Sequence, residues 1–145
     1  TRKARMKSNS DVRPAAILPL GNGAFHYNYN VKARTQEAEP APQADEGNPE
    51  GVETAVIVES PRIVYDYDTV EVWGNPNYKE IVRAVIRAEV SETEEFGLIN
   101  DYNAARAGLV EEAEAKEAEE RYTAHLRRVA EIKAMVKVDL AGAGY

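Results

Sequence analysis

The side chains able to do chemistry in this sequence are few and scattered. His26 and His125 are the only histidines, and cysteine is absent. Disulfides and cysteine-ligated zinc are therefore excluded. The two histidines share no ligand spacing with a carboxylate pair, so neither a metal site nor a histidine-based catalytic set is expected. Asp66-Tyr67-Asp68 puts two carboxylates on one face of a strand, with Glu71 on the other. Such a pair could hold a hard cation or move protons. A solvated edge strand that uses charge to block unwanted pairing reads the same way, and is the reading preferred here. Gly21-Asn22-Gly23 lacks the third glycine and the following helix of a phosphate loop, so it reads as a turn. No P-loop, EF-hand, nucleophile elbow or HExxH sequence occurs. The expectation is a protein that is not an enzyme and needs no cofactor.

What remains is chemistry of contact. Arg2, Lys3, Arg5, Lys7 and Arg13 stand against Asp11 alone, so residues 1–13 carry +4 and the rest of the chain −11. This arm has little apolar content to offset its ordering entropy, and it is expected to be flexible. It either solubilises the terminus, orders on an acidic partner surface, or touches nucleic acid. The formal charge of −7 argues against a general nucleic-acid surface. Phe25, Tyr27, Tyr29, Tyr65, Tyr67 and Trp73 concentrate the large rings in strand-like segments, and Tyr78 adds one at a helix entry. Rings of this kind fill cores and also dominate protein interfaces. These six aromatics, with the five cations of the arm, are the candidate interaction residues.

The elements that must position them follow from pattern. Ala15–Leu20 and Ala24–Val31 flank the Gly-Asn-Gly turn, which is a hairpin signal. In the second run Phe25, Tyr27, Tyr29 and Val31 alternate with His26, Asn28 and Asn30, giving one apolar and one polar face. A lone hairpin is marginal in water, so it needs further strands or a partner. Residues 33–53 hold three prolines, two glycines and many acids, with no hydrophobic face; they read as an acidic linker. Thr54–Val58 and Arg62–Trp73 are β-rich, and a switch of parity near Asp68 suggests a bulge or an edge position. Asn75 and Pro76 are placed to start a helix over 76–90. Its apolar face is Tyr78, Ile81, Val82, Val85 and Ile86. Ser91-Glu92-Thr93-Glu94 is a capping box for a second helix that stops at Gly108. A third, over 111–140, carries Tyr122, Leu126, Val129, Ile132, Val136 and Leu140 as a stripe. Its first turns are rich in Ala and Glu and are expected to project from the body.

The fold class expected is α+β: an N-terminal β-hairpin and central strands followed by a three-helix C-terminal unit. The segments are a basic flexible arm (1–13), a hairpin (14–32), the acidic linker (33–53), a strand and three-helix domain (54–140) and a flexible tail (141–145). The arm and hairpin are expected to dock away from the helical unit. The mean hydropathy of −0.53 confines apolar residues to particular segments. The longest apolar run, Ala15–Leu20, is too short to span a membrane.

Asp11-Val12-Arg13-Pro14-Ala15, the turn and Phe25-His26-Tyr27-Asn28-Tyr29 resemble the start of small proteins from phages and prophages of gut Bacteroidales. Val70-Glu71-Val72-Trp73-Gly74, Tyr78, Val82, Ile86-Arg87 and Ile99-Asn100-Asp101-Tyr102-Asn103 extend the resemblance. It covers about 11–32 and 64–140, and similar strand-then-helix endings are encoded among tail and fibre genes. The resemblance carries no catalytic signature. It implies a virion structural protein of the tail, baseplate or fibre region, assembled in the host bacterial cytoplasm. Its partners would be other phage structural proteins in multiple copies, with no membrane and no main role for nucleic acid. A non-virion chaperone for a tail-fibre protein, and a nucleic-acid-binding protein using the arm, stay open beside it.

Overall fold

Two glycines close the first hairpin. Gly21 and Gly23 take φ of 80° and 86°, a region that side chains disfavour. The Asn22 side chain accepts a hydrogen bond from the Ala24 amide at 3.1 Å. The computed structural model in which this turn lies describes residues 5–37 and 61–145. Arg2, Lys3, the strand expected at Thr54–Val58 and most of the acidic linker fall outside them.

The elements are β1 (Met6–Ser10), β2 (Ile17–Pro19), β3 (Ala24–Gln36), β4 (Arg62–Trp73), α1 (Tyr78–Glu89), α2 (Glu92–Arg106) and α3 (Glu112–Gly142). The strands form one antiparallel sheet in the order β1-β4-β3-β2. The fold is α+β, with the strands N-terminal and the helices C-terminal, as expected. Four expectations about the strands need correction. Met6–Ser10 belong to a strand paired along Tyr65–Thr69, where the sequence suggested a flexible arm. The hairpin does not dock elsewhere, because β3 lies along β4 from Ala24 opposite Trp73 to Gln36 opposite Arg62. Residues 33–36, read as linker, are the end of β3. Nor is β4 an edge strand, since it has β1 on one side and β3 on the other.

The parity change expected near Asp68 is realised on the neighbouring strand. Tyr29 stands opposite Asp68 and Lys32 opposite Asp66, so Asn30 and Val31 together face the single residue Tyr67. This is a β-bulge. Asn30 takes a φ of 52°, a conformation that Asn tolerates better than most side chains. Its amide donates to Asp68 Oδ2 at 3.0 Å. Beyond the bulge, even-numbered residues of β3 take the side that odd-numbered ones held before it. Val31 therefore leaves the apolar row of Phe25, Tyr27 and Tyr29.

That row is the floor of the core. Phe25, Tyr27, Tyr29, Val70 and Val72 lie in one cluster with Ile81, Val82 and Val85 of α1 and Ile132, Val136 and Leu140 of α3. Tyr27 and Tyr29 stack with ring centroids 5.3 Å apart. α1 is capped by Asn77 rather than Asn75; its side chain accepts from the Lys79 amide at 2.9 Å. Pro76 thus precedes the cap. α2 carries the predicted box, with Ser91 Oγ and Glu94 Oε2 each accepting from the other's backbone amide. α3 extends through Gly142, so the tail expected at 141–145 is shorter.

Only half of the α3 stripe is used by the sheet. Ile132, Val136 and Leu140 are buried, whereas Leu126 is 49% exposed. The earlier half packs with α2 as a helical hairpin, where Tyr102 and Tyr122 stack at 4.5 Å. No residue of α2 is buried. Among the described residues no helix is long and apolar enough to cross a membrane.

Candidate protein-contact surface

The candidate aromatics divide by strand face. Phe25, Tyr27 and Tyr29 are sealed beneath the helices, none more than 2% exposed. They are core residues, the first of the two roles, core and contact, that the sequence left open for the candidate aromatics. The alternation of β4 sends Ile63, Tyr65, Tyr67, Glu71 and Trp73 to the other side. Tyr65 and Tyr67 are half-buried there, while Ile63 and Trp73 are 55% and 56% exposed. Met6 of β1 stands opposite Thr69, and Leu18 of β2 opposite His26, on the same side and also exposed. Two polar residues of that side are buried instead. Asn28 accepts from Thr69 Oγ1 at 2.8 Å and donates to the Ala15 carbonyl at 2.9 Å, tying the approach to β2 against β3.

The cations divide as well. Arg5 pairs with Asp68 at 3.6 Å, and Arg34 with Asp66 at 2.6 Å. The two carboxylates that might have done acid–base work are therefore occupied by guanidinium groups. Lys7 and Lys32 stand in register with those same carboxylates but make no ion pair of their own among the described residues. With Arg5, Asn9 and Asn30 they line a groove of about 610 Å³ on the helix side of the sheet, beyond the core. Arg13 lies apart, in a second groove with Pro14 and the end of α3. Lys32 was not singled out from the sequence because it is the last residue of the expected hairpin, just past the alternation that ends at Val31. Met6 escaped because it is a single apolar residue among polar ones, and Leu18 because it sits inside the apolar run Ala15–Leu20, where nothing local marks an outward face; for Ile63, beside Val64, the odd parity of β4 was the available signal.

Three polar contacts hold the helices to this frame. Tyr27 Oη donates to Asp139 Oδ2 at 2.5 Å. Burial, then this bond to a carboxylate, raises the Tyr27 hydroxyl well above its ordinary value. Arg128 of α3 reaches Glu89 of α1 with Nη2 at 2.6 Å and Nε at 2.9 Å, a two-pronged pairing. Glu95 of α2 accepts from Arg87 at 2.8 Å and lies 2.7 Å from His125 Nε2. The bond from Arg87 comes first among the causes that hold the Glu95 carboxyl below its usual range.

Tyr29 differs from its neighbour. Its hydroxyl is buried and has no hydrogen-bond partner among the described residues. Burial, then the charge of Asp68, pushes it up to about 12, with Glu89, Arg5 and Arg128 also acting on it. Tyr27 thus reaches residue 139 of α3, and Arg128 is among the charges that act on Tyr29.

Among the described residues no group of three or more His, Asp or Glu side chains is placed to hold a metal ion. Comparison of the chain with protein-family models, with curated proteins and with solved structures found no match.

Proposed function

We propose that this protein is a virion structural protein of the tail, baseplate or fibre region of a phage, joining other phage structural proteins as an adaptor or decoration. The observation that carries the reading is the helix-free side of the sheet. Ile63, Tyr65, Tyr67, Trp73, Met6 and Leu18 present apolar and aromatic area there, while α1 and α3 cover only the other side. Contact anchors are often of this kind, rings that offer large area at low entropy cost. The outer edge of β1, unpaired among the described residues, adds a second means of contact. An extended segment of a neighbour can pair with it and continue the sheet. The resemblance to proteins encoded among tail and fibre genes supplies the direction.

Mass spectrometry of purified virions, with cross-linking to identify neighbours, tests the reading. Recovery at stoichiometric level, with cross-links from residues around Trp73 or β1, is the expected result. Absence from the particle would sink it. Presence during assembly followed by loss from mature particles would instead select the chaperone reading, which uses the same edge transiently.

A further inference from the structure

The α2–α3 hairpin and the end of the sheet around the Lys7–Lys32 groove are oppositely equipped. The helical one, residues 91–127, holds ten acidic and four basic side chains. It also leaves apolar side chains uncovered. Phe96 is 62% exposed, Leu109 at the turn 77%, and no residue of α2 is buried. The β one carries the groove with Lys7 and Lys32. Its carboxylates, Asp66 and Asp68, are already held by Arg34 and Arg5, so among the described residues these two ammonium groups are the uncompensated charge of the groove.

We infer that the occupant of the Lys7–Lys32 groove is a second copy of this chain, which seats the acidic face of its α2–α3 hairpin there. Charge complementarity selects this occupant. A hairpin packing on another hairpin would set net −6 against net −6, and like charges across an interface oppose association. Hairpin against groove matches sign to sign and brings Glu117 and Glu120, both exposed on α3, within the reach of free lysines. The surface on one copy differs from the surface on the next. The contact is therefore heterologous, or reciprocal when two copies exchange hairpins, and either arrangement builds assemblies of several copies. The inference deepens the reading above, resting on it only for the use of multiple copies.

The test is light scattering after size exclusion on the purified full chain, over a range of concentration and salt. Wild type is expected to associate, with a mass that falls as salt rises. Lys7→Glu with Lys32→Glu is expected to give a monomer, as is Glu117→Lys with Glu120→Lys, each keeping the wild-type circular dichroism spectrum. Mixing the two variants restores association, because the acidic hairpin of the first meets the unchanged groove of the second. A monomeric wild type overturns the inference, as do variants that associate like wild type or folded variants whose mixture stays monomeric. A monomer that is nonetheless found in virions overturns this inference and leaves the structural role standing. If one pair of substitutions prevents folding, the salt dependence of wild type and the other pair still decide the matter.

Discussion

Tyr27 and Tyr29 are two residues apart on one strand, stacked on each other and equally buried, yet their hydroxyls have different circumstances. Tyr27 donates to Asp139, and Tyr29 has no partner among the described residues. Removing a hydrogen bond to a charged acceptor costs about 1.5–3 kcal/mol. Tyr27→Phe should therefore lower the unfolding free energy by about that much in a urea titration. Tyr29→Phe removes a hydroxyl whose desolvation is uncompensated, and should leave stability within about 0.5 kcal/mol of wild type or raise it. Equal losses for the two variants would contradict these assignments. The pH dependence follows from the same pair. Both hydroxyls titrate higher folded than unfolded, so the native state keeps protons that the unfolded chain loses. Their contribution is whole below the ordinary value of 10.0 and is lost as pH climbs towards about 12, the range set by Tyr29. Unfolding free energy measured from pH 9 to 12 should fall, and Tyr29→Phe should flatten the fall.

At the scale of elements, α2 relies on polar contacts beside the Tyr102–Tyr122 stack, because none of its residues is fully buried. Glu95 links it to α1 through Arg87 and to α3 through His125. Glu95→Gln should cost about 1–3 kcal/mol, the range for a bond between charged groups. A carboxyl held below its ordinary 4.5 contributes stability above that value and loses it as pH falls through the acid range. The variant should thus be less sensitive to acid than wild type, as followed by circular dichroism. The capping box, the hairpin turn and the face of α1 could all be read from the sequence, because each is set by residues a few positions apart. β1 could not. Met6 is its only large apolar residue, so no alternation distinguishes it, and its pairing with β4 joins residues far apart in the chain. The bulge was legible only as a disturbance, since the residues that cause it are Asn30 and Val31 and the symptom lay at Asp68. The split of the aromatics was hidden for the same reason. Which face of β4 is covered depends on helices that come later, and nothing local to Tyr65 or Trp73 states it.

For the whole molecule, the sheet joins the first described residues to the last helix. Deleting residues 1–10 would remove a strand, not a dispensable arm. Five cross-strand positions are lost, Met6 to Ser10. At about 0.2–1 kcal/mol for each pair, the loss should be about 1–5 kcal/mol, seen as a lower melting temperature. A truncated protein that melts with wild type would contradict the role assigned to β1. Trp73→Ala, by contrast, should leave the melting temperature within about 1 °C, since surface substitutions typically change stability by less than 0.5 kcal/mol. Its effect should fall on cross-linking to neighbours in the particle. The acidic linker and the basic terminus looked like separate modules by composition, but charge patterning reports solvation and partners more than it reports chain path.

α3 is one unbroken helix of 31 residues, about 46 Å long at 1.5 Å per residue. Tyr27 holds it near its end, and Glu89 holds it near its middle through Arg128. Mechanically it is a beam clamped at two points, with the α2 hairpin as its overhang. A sideways load on the hairpin arrives at the clamps as torque, with Arg128 as the fulcrum and Asp139 resisting lift. Traction on the overhang would therefore be felt first not at the tip but in the hydrogen bond of a buried tyrosine, at the opposite end of the molecule.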